Sequence, residues 1–158
     1  RQFGSHPLHN PDYGKIINEK HFQRLCGLMD KKKTVCGGEC DPHSLRIAPT
    51  VLTDVTFRDP VMQEEIFGPV LVVIPYETQE EAVQIANDSI YGLAGAVFGP
   101  EEEANKVARQ MKTGTVYVNE GQWDPTSPFG GYKQSGLGRE GGVEGYEEFL
   151  EIKTIYDK

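Results

Sequence analysis

The sequence lacks an excess of positive charge, a long apolar run and a large number of cysteines. Its 158 residues carry a formal net charge of −8, so we expect neither nucleic acid nor an anionic membrane as a partner, since both require a basic surface. The densest aliphatic run, residues 70–74, is bounded by prolines and is far shorter than the about 20 residues of a membrane-spanning helix. Three cysteines are an odd number and indicate no disulfide framework. Because no secretory signal pattern is present, we expect a reducing, cytoplasmic location.

What the sequence does contain is typical of a folded globular domain. Hydrophobic residues make up 37% of the chain and charged residues 25%. The length suits a domain with a hydrophobic core. The first residue is Arg1 rather than methionine, so we expect the chain to be either a piece of a longer protein or a processed one.

Three helices are predicted from start and stop signals. Asn10 and Pro11 predict the start of the first helix, which is expected to end near residue 29. Thr78 with Glu81 forms a capping box that predicts a helix through about residue 88. The third helix is expected between Pro100, with acidic residues directly after it, and Gly114. The apolar stripes of the three helices are residues 17, 21, 25 and 28 (widened by 22 and 29), residues 82, 83, 85 and 86, and residues 104, 107, 108 and 111.

Apolar runs between these helices predict strands. They cover residues 46–55, 70–75, 93–98 and 115–119. We expect Pro49 to place the first of them at a sheet edge or bulge, and the second to be buried on both faces. Alternating strands and helices predict an α/β fold with a mostly parallel sheet and helices on both faces. Because ligands of such sheets bind at the carboxyl ends of strands, Asn119 and the loop after it lie where a site is expected.

One cluster of polar residues and one histidine have residue types that can bind a metal, but the residues around them argue against a site. Cys36, Cys40 and His43 have the spacing C-x3-C-x2-H, yet structural zinc takes four ligands and no fourth is near, so we expect a surface loop and no metal site. His21 has no second ligand one turn away on the same helix face, and we expect it to be a packing residue.

The stretch from residue 61 to 69 is the strongest candidate for a binding site. Asp59 and Pro60 predict a helix start, and Phe67 is followed by Gly-Pro, which ends a helix. Glu64 and Glu65 are adjacent and cannot share a face. A carboxylate and an aromatic ring on a rigid turn can hold a ribose hydroxyl pair and the flat ring beyond it. The alternative is a surface helix end anchored by its phenylalanine.

Residues 121–142 are rich in glycine but match no phosphate-binding fingerprint. No strand leads directly into Gly130-Gly131, and no helix with Lys-Ser or Lys-Thr follows. Trp123 is the only tryptophan of the chain. It either lines a site in this loop or is an ordinary packing anchor.

Two motifs resemble the aldehyde dehydrogenase superfamily. They are E-E-I-F-G-P at residues 64–69 and P-F-G-G-Y-K-Q-S-G-L-G-R-E at residues 128–140. The resemblance implies that Glu65 accepts hydrogen bonds from the nicotinamide ribose and that Phe67 packs beside it. It also implies that the second motif is chiefly architectural, with tight turns that need glycine, and that the loop carrying Trp123 helps to wall the substrate channel.

The resemblance also implies a domain division and an assembly. Residues 1–147 would be the C-terminal portion of the catalytic domain, and residues 148–158 an edge strand of the oligomerisation type. Leu150, Ile152, Thr154 and Tyr156 alternate with other residues at period two, as expected for such a strand. The complete protein is therefore expected to be a homo-oligomer. Other motifs mix features of the dimeric and tetrameric branches of the family.

The chemistry of the family requires residues that this chain lacks. Members oxidise an aldehyde through a cysteine thiolate, pass hydride to NAD or NADP and release the acid with water activated by a glutamate. Cys26, Cys36 and Cys40 all lack the flanking G-Q-x-C context of the nucleophile. We therefore expect no catalytic residue in this chain, with the nucleophile, the general base and the dinucleotide-binding half located before Arg1. The alternative is a stand-alone, non-catalytic α/β module for partner binding or assembly.

Overall fold

The computed structural model describes residues 2–158, which have a mixed α/β fold. The chain divides into two compact units, the first ending at Pro75 and the second covering Tyr76–Lys158. The predicted division after residue 147 is a different one and stays a prediction. No helix in the described part of the chain is both long and apolar enough to cross a membrane.

The first unit consists of short strands and one principal helix. Its elements are a 3₁₀ helix (Pro7–His9), α1 (Glu19–Leu28), β1 (Thr34–Cys36), β2 (Cys40–Asp41), β3 (Arg46–Ile47), β4 (Thr50–Leu52), α2 (Pro60–Gln63) and β5 (Val70–Val72). Strand β4 lies between β1, which is antiparallel to it, and β5, which is parallel to it. Strands β2 and β3 form a separate antiparallel pair.

The core of this unit is formed by one face of α1, by residues of the strands and by one residue of α2. Its buried residues are Phe22, Leu25, Leu28, Ile47, Leu52, Val61 and Val70. The predicted stripe was right at three of these positions but wrong at its first turn, since Ile17 is 79% exposed and His21 is also exposed. The helix begins later than predicted because the Asn18 side chain accepts a hydrogen bond from the backbone N–H of His21.

The predicted helix start at Asn10-Pro11 was wrong. The Asn10 side chain instead accepts a hydrogen bond from the backbone N–H of Asp12, two residues on, at 2.8 Å. A side-chain bond of this kind forms a local turn that competes with helix formation. Asn10 thus forms a side-chain hydrogen bond of the capping type, but this bond stabilises a turn and does not begin a helix.

The predicted strand from residue 46 to 55 is two strands. Strand β3 ends before Pro49 and β4 begins after it, and the two belong to different sheets. Proline has no N–H to donate to a ladder, which is why pairing changes at this point. The prediction that residues 70–75 are buried on both faces was also wrong in this chain, since Leu71 is 59% exposed.

The second unit is built around one strand–helix–strand crossover. Its elements are α3 (Gln79–Asn87), β6 (Tyr91–Gly92), β7 (Ala94–Val97), α4 (Glu101–Ala108), β8 (Thr115–Val118), β9 (Tyr132–Lys133) and α5 (Gly142–Glu147). Strands β7 and β8 are parallel, with Ala94 opposite Thr115, and α4 connects them. Strands β6 and β9 are antiparallel.

Both helix starts predicted in this unit are confirmed. The hydroxyl of Thr78 accepts a hydrogen bond from the N–H of Glu81 at 3.2 Å, and Pro100 directly precedes α4. The predicted stripes hold in part. Ala104 is buried, with 2% of its surface exposed, whereas Ala86 is exposed. Helix α3 is thus less deeply packed than its sequence pattern predicts.

The sheets are small and mixed. Two strand pairs, β4–β5 and β7–β8, are parallel, while β1–β4, β2–β3 and β6–β9 are antiparallel. The prediction of an α/β fold is confirmed, but a mostly parallel sheet is not what residues 2–158 form. Beyond Leu150 the described chain has no helix or strand, and Ile152 and Tyr156 are 96% and 93% exposed. The predicted edge strand stays a prediction, because a strand needs a partner.

Candidate functional site

The segment from residue 64 to 69 follows the short helix α2. Pro60 occupies the first turn of this helix as predicted, and the N–H of Glu64 donates to the carbonyl oxygen of Pro60 at 3.1 Å. Glu64 itself is extended, with φ −112° and ψ 146°. Adjacent side chains of an extended backbone point to opposite sides, which agrees with the expectation that Glu64 and Glu65 cannot share a face.

Asp59 precedes α2 but does not cap it with its side chain, so that prediction was wrong. Its carboxylate instead accepts hydrogen bonds from the Lys33 ammonium and the Thr56 N–H, both at 2.6 Å. The hydrogen bond from Lys33, followed by that from Thr56, holds the pKa of Asp59 below its usual value. The carboxylate thus connects the approach to α2 with the chain just before β1.

Arg24 of α1 fixes the backbone of the 64–69 segment. Its guanidinium donates to the carbonyl oxygen of Glu65 at 3.1 Å and to that of Ile66 at 2.6 Å. It also forms an ion pair with the Glu64 carboxylate at 3.6 Å. The planar guanidinium suits this forked arrangement, and one side chain therefore holds three consecutive residues.

Packing fixes the same segment from the other side. Ile66 packs against the core, and a Cβ on Gly68 would lie 2.6 Å from a methyl carbon of the fully buried Leu25. A larger residue here would have to displace the packed Leu25 side chain, so glycine suits this close approach. Phe67 lies between these two anchors with a φ of 47° and is 76% exposed.

The arrangement presents Glu65 and Phe67 to solvent on a fixed backbone. Both residues are exposed, whereas Glu64 is engaged by Arg24. Carboxylate oxygens accept hydrogen bonds from hydroxyl groups, and an exposed ring offers an apolar face. An acceptor carboxylate beside an exposed ring can bind a ligand with a hydroxyl pair beside a flat ring.

Trp123 lies in the second unit, in the loop that follows β8. Its side chain is 63% exposed, so it is not anchored in the interior of the described chain. It borders a cavity of 160 Å³ together with residues of β8 and the loop. Asp124 shapes this loop, because its carboxylate accepts hydrogen bonds from the backbone N–H and hydroxyl of Thr126, which lower the pKa of Asp124.

The glycine-rich motif at residues 128–140 is held by backbone contacts. Phe129 and Glu140 exchange two backbone hydrogen bonds of 2.7 and 2.8 Å. The Arg139 guanidinium donates to the carbonyl oxygen of Gly131 at 3.1 Å. A Cβ on Gly114 would lie 1.6 Å from the carbonyl oxygen of Gly130, so side chains are excluded where these segments cross.

No group of three or more potential metal ligands occurs among residues 2–158. Cys36, Cys40 and His43 are thus not gathered into a site. A separate cavity of 750 Å³ beside the 3₁₀ helix of the first unit is lined by Cys36 but by none of Glu65, Phe67 and Trp123.

Sequence reasoning found Glu65 and Phe67 as candidates but missed Arg24. The arginine lies 41 and 42 positions before the residues whose carbonyl groups it binds. Because every residue has a backbone carbonyl group, the sequence does not show which of them an arginine binds. The available signal was weak: a cation in the middle of α1, beside the apolar stripe.

Comparisons with known proteins agree on one family. A family model described as "Aldehyde dehydrogenase family" matches residues 2–155. A 3-succinoylsemialdehyde-pyridine dehydrogenase from a Pseudomonas species is 49% identical over 94% of this chain and 34% of its own length. Among solved structures, a Mycobacterium tuberculosis aldehyde dehydrogenase complexed with NAD+ has a TM-score of 0.80 at 45% identity, over 90% of this chain and 31% of that one.

A mutant of aldehyde dehydrogenase C from Pseudomonas syringae, complexed with NAD+ and octanal, gives a TM-score of 0.81 at 42% identity. The match covers 92% of this chain and 32% of that one. The present chain thus spans about a third of the length of the relatives it matches.

Proposed function

Because the chain belongs to the aldehyde dehydrogenase family, we propose that it is part of an enzyme that oxidises an aldehyde to a carboxylic acid with NAD or NADP. Its relatives with solved structures include proteins complexed with NAD+, which supports this choice of cofactor. The chain spans about a third of its relatives, and we assign to it the parts of the reaction that its own residues can perform.

The observation that carries the proposal is the Arg24-held segment with its exposed pair, Glu65 and Phe67. The Glu65 carboxylate accepts hydrogen bonds from the two hydroxyls of the nicotinamide ribose. Phe67 supplies an apolar surface beside it. The dinucleotide, when bound, accepts hydride from the substrate. The role of this chain is to hold the ribose so that the nicotinamide ring stays in a fixed position relative to the substrate.

A fixed backbone is essential to this role. Rates of group transfer fall steeply when the reacting atoms leave the near-attack geometry, and about 1 Å of misplacement can cost on the order of 10²-fold. Glu65 acts from a segment whose carbonyl oxygens are bound by a guanidinium, whose Ile66 packs against the core and whose Gly68 lies against Leu25. Because these contacts fix the segment, it is better suited to positioning a ligand than a loosely attached surface turn would be.

The second unit contributes part of the substrate channel. The exposed indole of Trp123 and the cavity beside it support this assignment. For the complete protein we propose an α/β fold with a mostly parallel sheet and helices on both faces. The exposed tail, residues 148–158, would pair as an edge strand in a homo-oligomer. We place the enzyme in the cytoplasm.

The catalytic nucleophile and general base lie outside this chain in the proposal. The purified 158-residue chain, assayed with NAD and a panel of aldehydes, should therefore show no oxidation. Turnover that depends on Cys26, Cys36 or Cys40 would contradict this assignment.

The decisive test compares two neighbouring glutamates in the complete protein. Glu65→Gln keeps the size of the side chain but weakens its hydrogen-bond acceptance, so single-turnover hydride transfer should slow by one to two orders of magnitude, roughly, with little change in dinucleotide affinity. Glu64→Gln is the matched control, because Glu64 is engaged by Arg24 rather than presented to the ligand. A larger effect from Glu64→Gln, or a loss of affinity without loss of rate, would refute the proposed clamp.

A further inference from the structure

We propose that Cys26 and Cys40 form a dithiol pair that is reversibly oxidised to an intramolecular disulfide. The two sulfur atoms lie 3.1 Å apart, about 1 Å more than the length of a disulfide bond. Cys26 is carried by α1 and Cys40 by β2, fourteen positions further along the chain. The short distance thus joins two separate elements of the first unit and does not follow from closeness in sequence.

The core fixes both ends of this pair. Leu25, the neighbour of Cys26, is completely buried. Ile47, opposite Cys40 in the β2–β3 pair, is 1% exposed and belongs to the same core. Movement of either sulfur away from the other would therefore require displacement of packed residues, whereas closure by about 1 Å requires small side-chain adjustments.

The pair is open to a small reagent. Both cysteines are half-buried, and both border a cleft of 570 Å³ that is also lined by Lys31 and Glu39. A small-molecule disulfide can enter this cleft. The third cysteine, Cys36, is exposed, belongs to β1 and is not among the residues that line this cleft.

The two thiols have different roles in the exchange. Burial and the hydrogen bond with Cys26 raise the pKa of Cys40 to about 12, so Cys40 is less readily deprotonated than an ordinary thiol and reacts second. The Cys26 thiolate attacks one sulfur of the small-molecule disulfide, whose S–S bond breaks and releases one thiol, leaving a mixed disulfide on Cys26. The Cys40 thiol then loses its proton as its sulfur attacks the Cys26 sulfur of the mixed disulfide, whose bond to the second reagent sulfur breaks and releases the second thiol. Two protein thiols are oxidised, the reagent is reduced to two thiols, and the two protons pass to these products.

The disulfide would tie α1 to β2. Arg24, which holds the carbonyl oxygens of Glu65 and Ile66, lies on α1 two residues before Cys26. The redox state of the pair therefore acts on the same helix that fixes the 64–69 segment. Through this helix, oxidation of the two cysteines would affect how firmly the 64–69 segment is held.

Peptide mapping of the complete protein tests the proposal. The native protein is incubated with oxidised glutathione, its remaining thiols are alkylated, and it is digested with trypsin and with a protease that cleaves after glutamate. Trypsin releases Cys26 in residues 25–31, and cleavage after Glu39 separates Cys36 from Cys40. We expect residues 25–31 joined to residues 40–46, with Cys36 alkylated, and full reversal by dithiothreitol.

Three variants and one unfolded control distinguish the proposed Cys26–Cys40 cross-link from other reactions of the cysteines. Cys36→Ser should form the same cross-link, whereas Cys40→Ser should stop at the glutathione adduct of Cys26 and Cys26→Ser should form neither. Urea-unfolded protein should require a glutathione pool at least roughly tenfold more oxidising for half-oxidation, since the native fold holds the sulfurs together. A cross-link through Cys36, or Cys26 and Cys40 that both remain alkylatable in native protein, would overturn the proposal.

Discussion

Removal of the Arg24 side chain should loosen the 64–69 segment without unfolding the unit that carries it. Arg24→Ala removes hydrogen bonds to the carbonyl oxygens of Glu65 and Ile66 and the ion pair with Glu64. The bond to Glu65 is exposed, and water can replace it. The bond to Ile66 is half-buried and charge-assisted, and such bonds contribute about 1.5–3 kcal/mol.

The ion pair adds little to this magnitude. Its side chains are 28% and 52% exposed, and ion pairs of this kind contribute about 0–1 kcal/mol and are screened by salt. We therefore expect local opening of the segment to become easier by about 2 kcal/mol in Arg24→Ala. That corresponds to roughly 30-fold faster hydrogen exchange at amides that report on the segment.

Two amides are suitable reporters. The N–H of Glu64 donates to Pro60, and the N–H of Thr50, which is 2% exposed, donates to the carbonyl oxygen of Pro69 at 2.8 Å. Native-state hydrogen exchange of the complete protein should show the acceleration at both. Glu64→Gln, which removes only the ion pair, should change exchange by less than about fivefold at low salt. Unchanged exchange in Arg24→Ala, or equal effects of the two variants, would refute the assignment of Arg24 as the residue that fixes this segment.

Three further predictions concern stability and assembly. Gly114→Ala should cost about 3 kcal/mol or more of unfolding free energy in urea titrations, because its Cβ would overlap a backbone oxygen, whereas Gly99→Ala, with open space around it, should change little. Asp59→Asn should lower thermal stability at neutral pH, because the folded pKa of Asp59 is depressed and the charged carboxylate stabilises the fold. The difference from the parent should shrink as the pH falls below the ordinary aspartate pKa of about 4 and vanish only below the depressed folded pKa. Ile152→Asp should dissociate the complete oligomer in sedimentation velocity, whereas Lys153→Asp should not; unchanged sedimentation of the first variant would show that the tail is not an interface.

Local signals allowed a large part of the second unit to be predicted. Thr78 and Pro100 start helices because the capping hydroxyl and the proline ring act within one turn of their own position. The strands at residues 93–98 and 115–119 were predicted because their apolar runs are short and clearly bounded. Both are present, as Ala94–Val97 and Thr115–Val118.

Predictions failed where a local signal had two possible uses. Asn10 and Asn18 are equally good caps by residue type, and only tertiary packing shows that the second begins α1 while the first forms a turn. Asp59 has the right position for a cap, but a lysine from another segment binds its carboxylate. The exposed Leu71 reads as core in the sequence because hydropathy does not show which faces of a strand this chain covers.

The candidate site was predictable only in its exposed half. Glu65 and Phe67 were identified through a motif, whereas the contacts that hold them are backbone carbonyl groups bound from a distant helix. The sulfur pair was missed for a similar reason. An odd number of cysteines argued against a disulfide framework, and counting does not show that Cys26 and Cys40 meet.

In the proposed clamp, the backbone conformation of Phe67 creates a conflict between thermostability and activity. A left-handed conformation costs an L-residue about 1–2 kcal/mol, and Phe67 adopts one at a φ of 47°. Glycine would relieve that cost but would delete the exposed ring. A selection scheme that rewards heat resistance alone would therefore enrich glycine at this position and discard the aromatic half of the proposed clamp, so libraries built on this scaffold should screen hydride transfer alongside melting temperature.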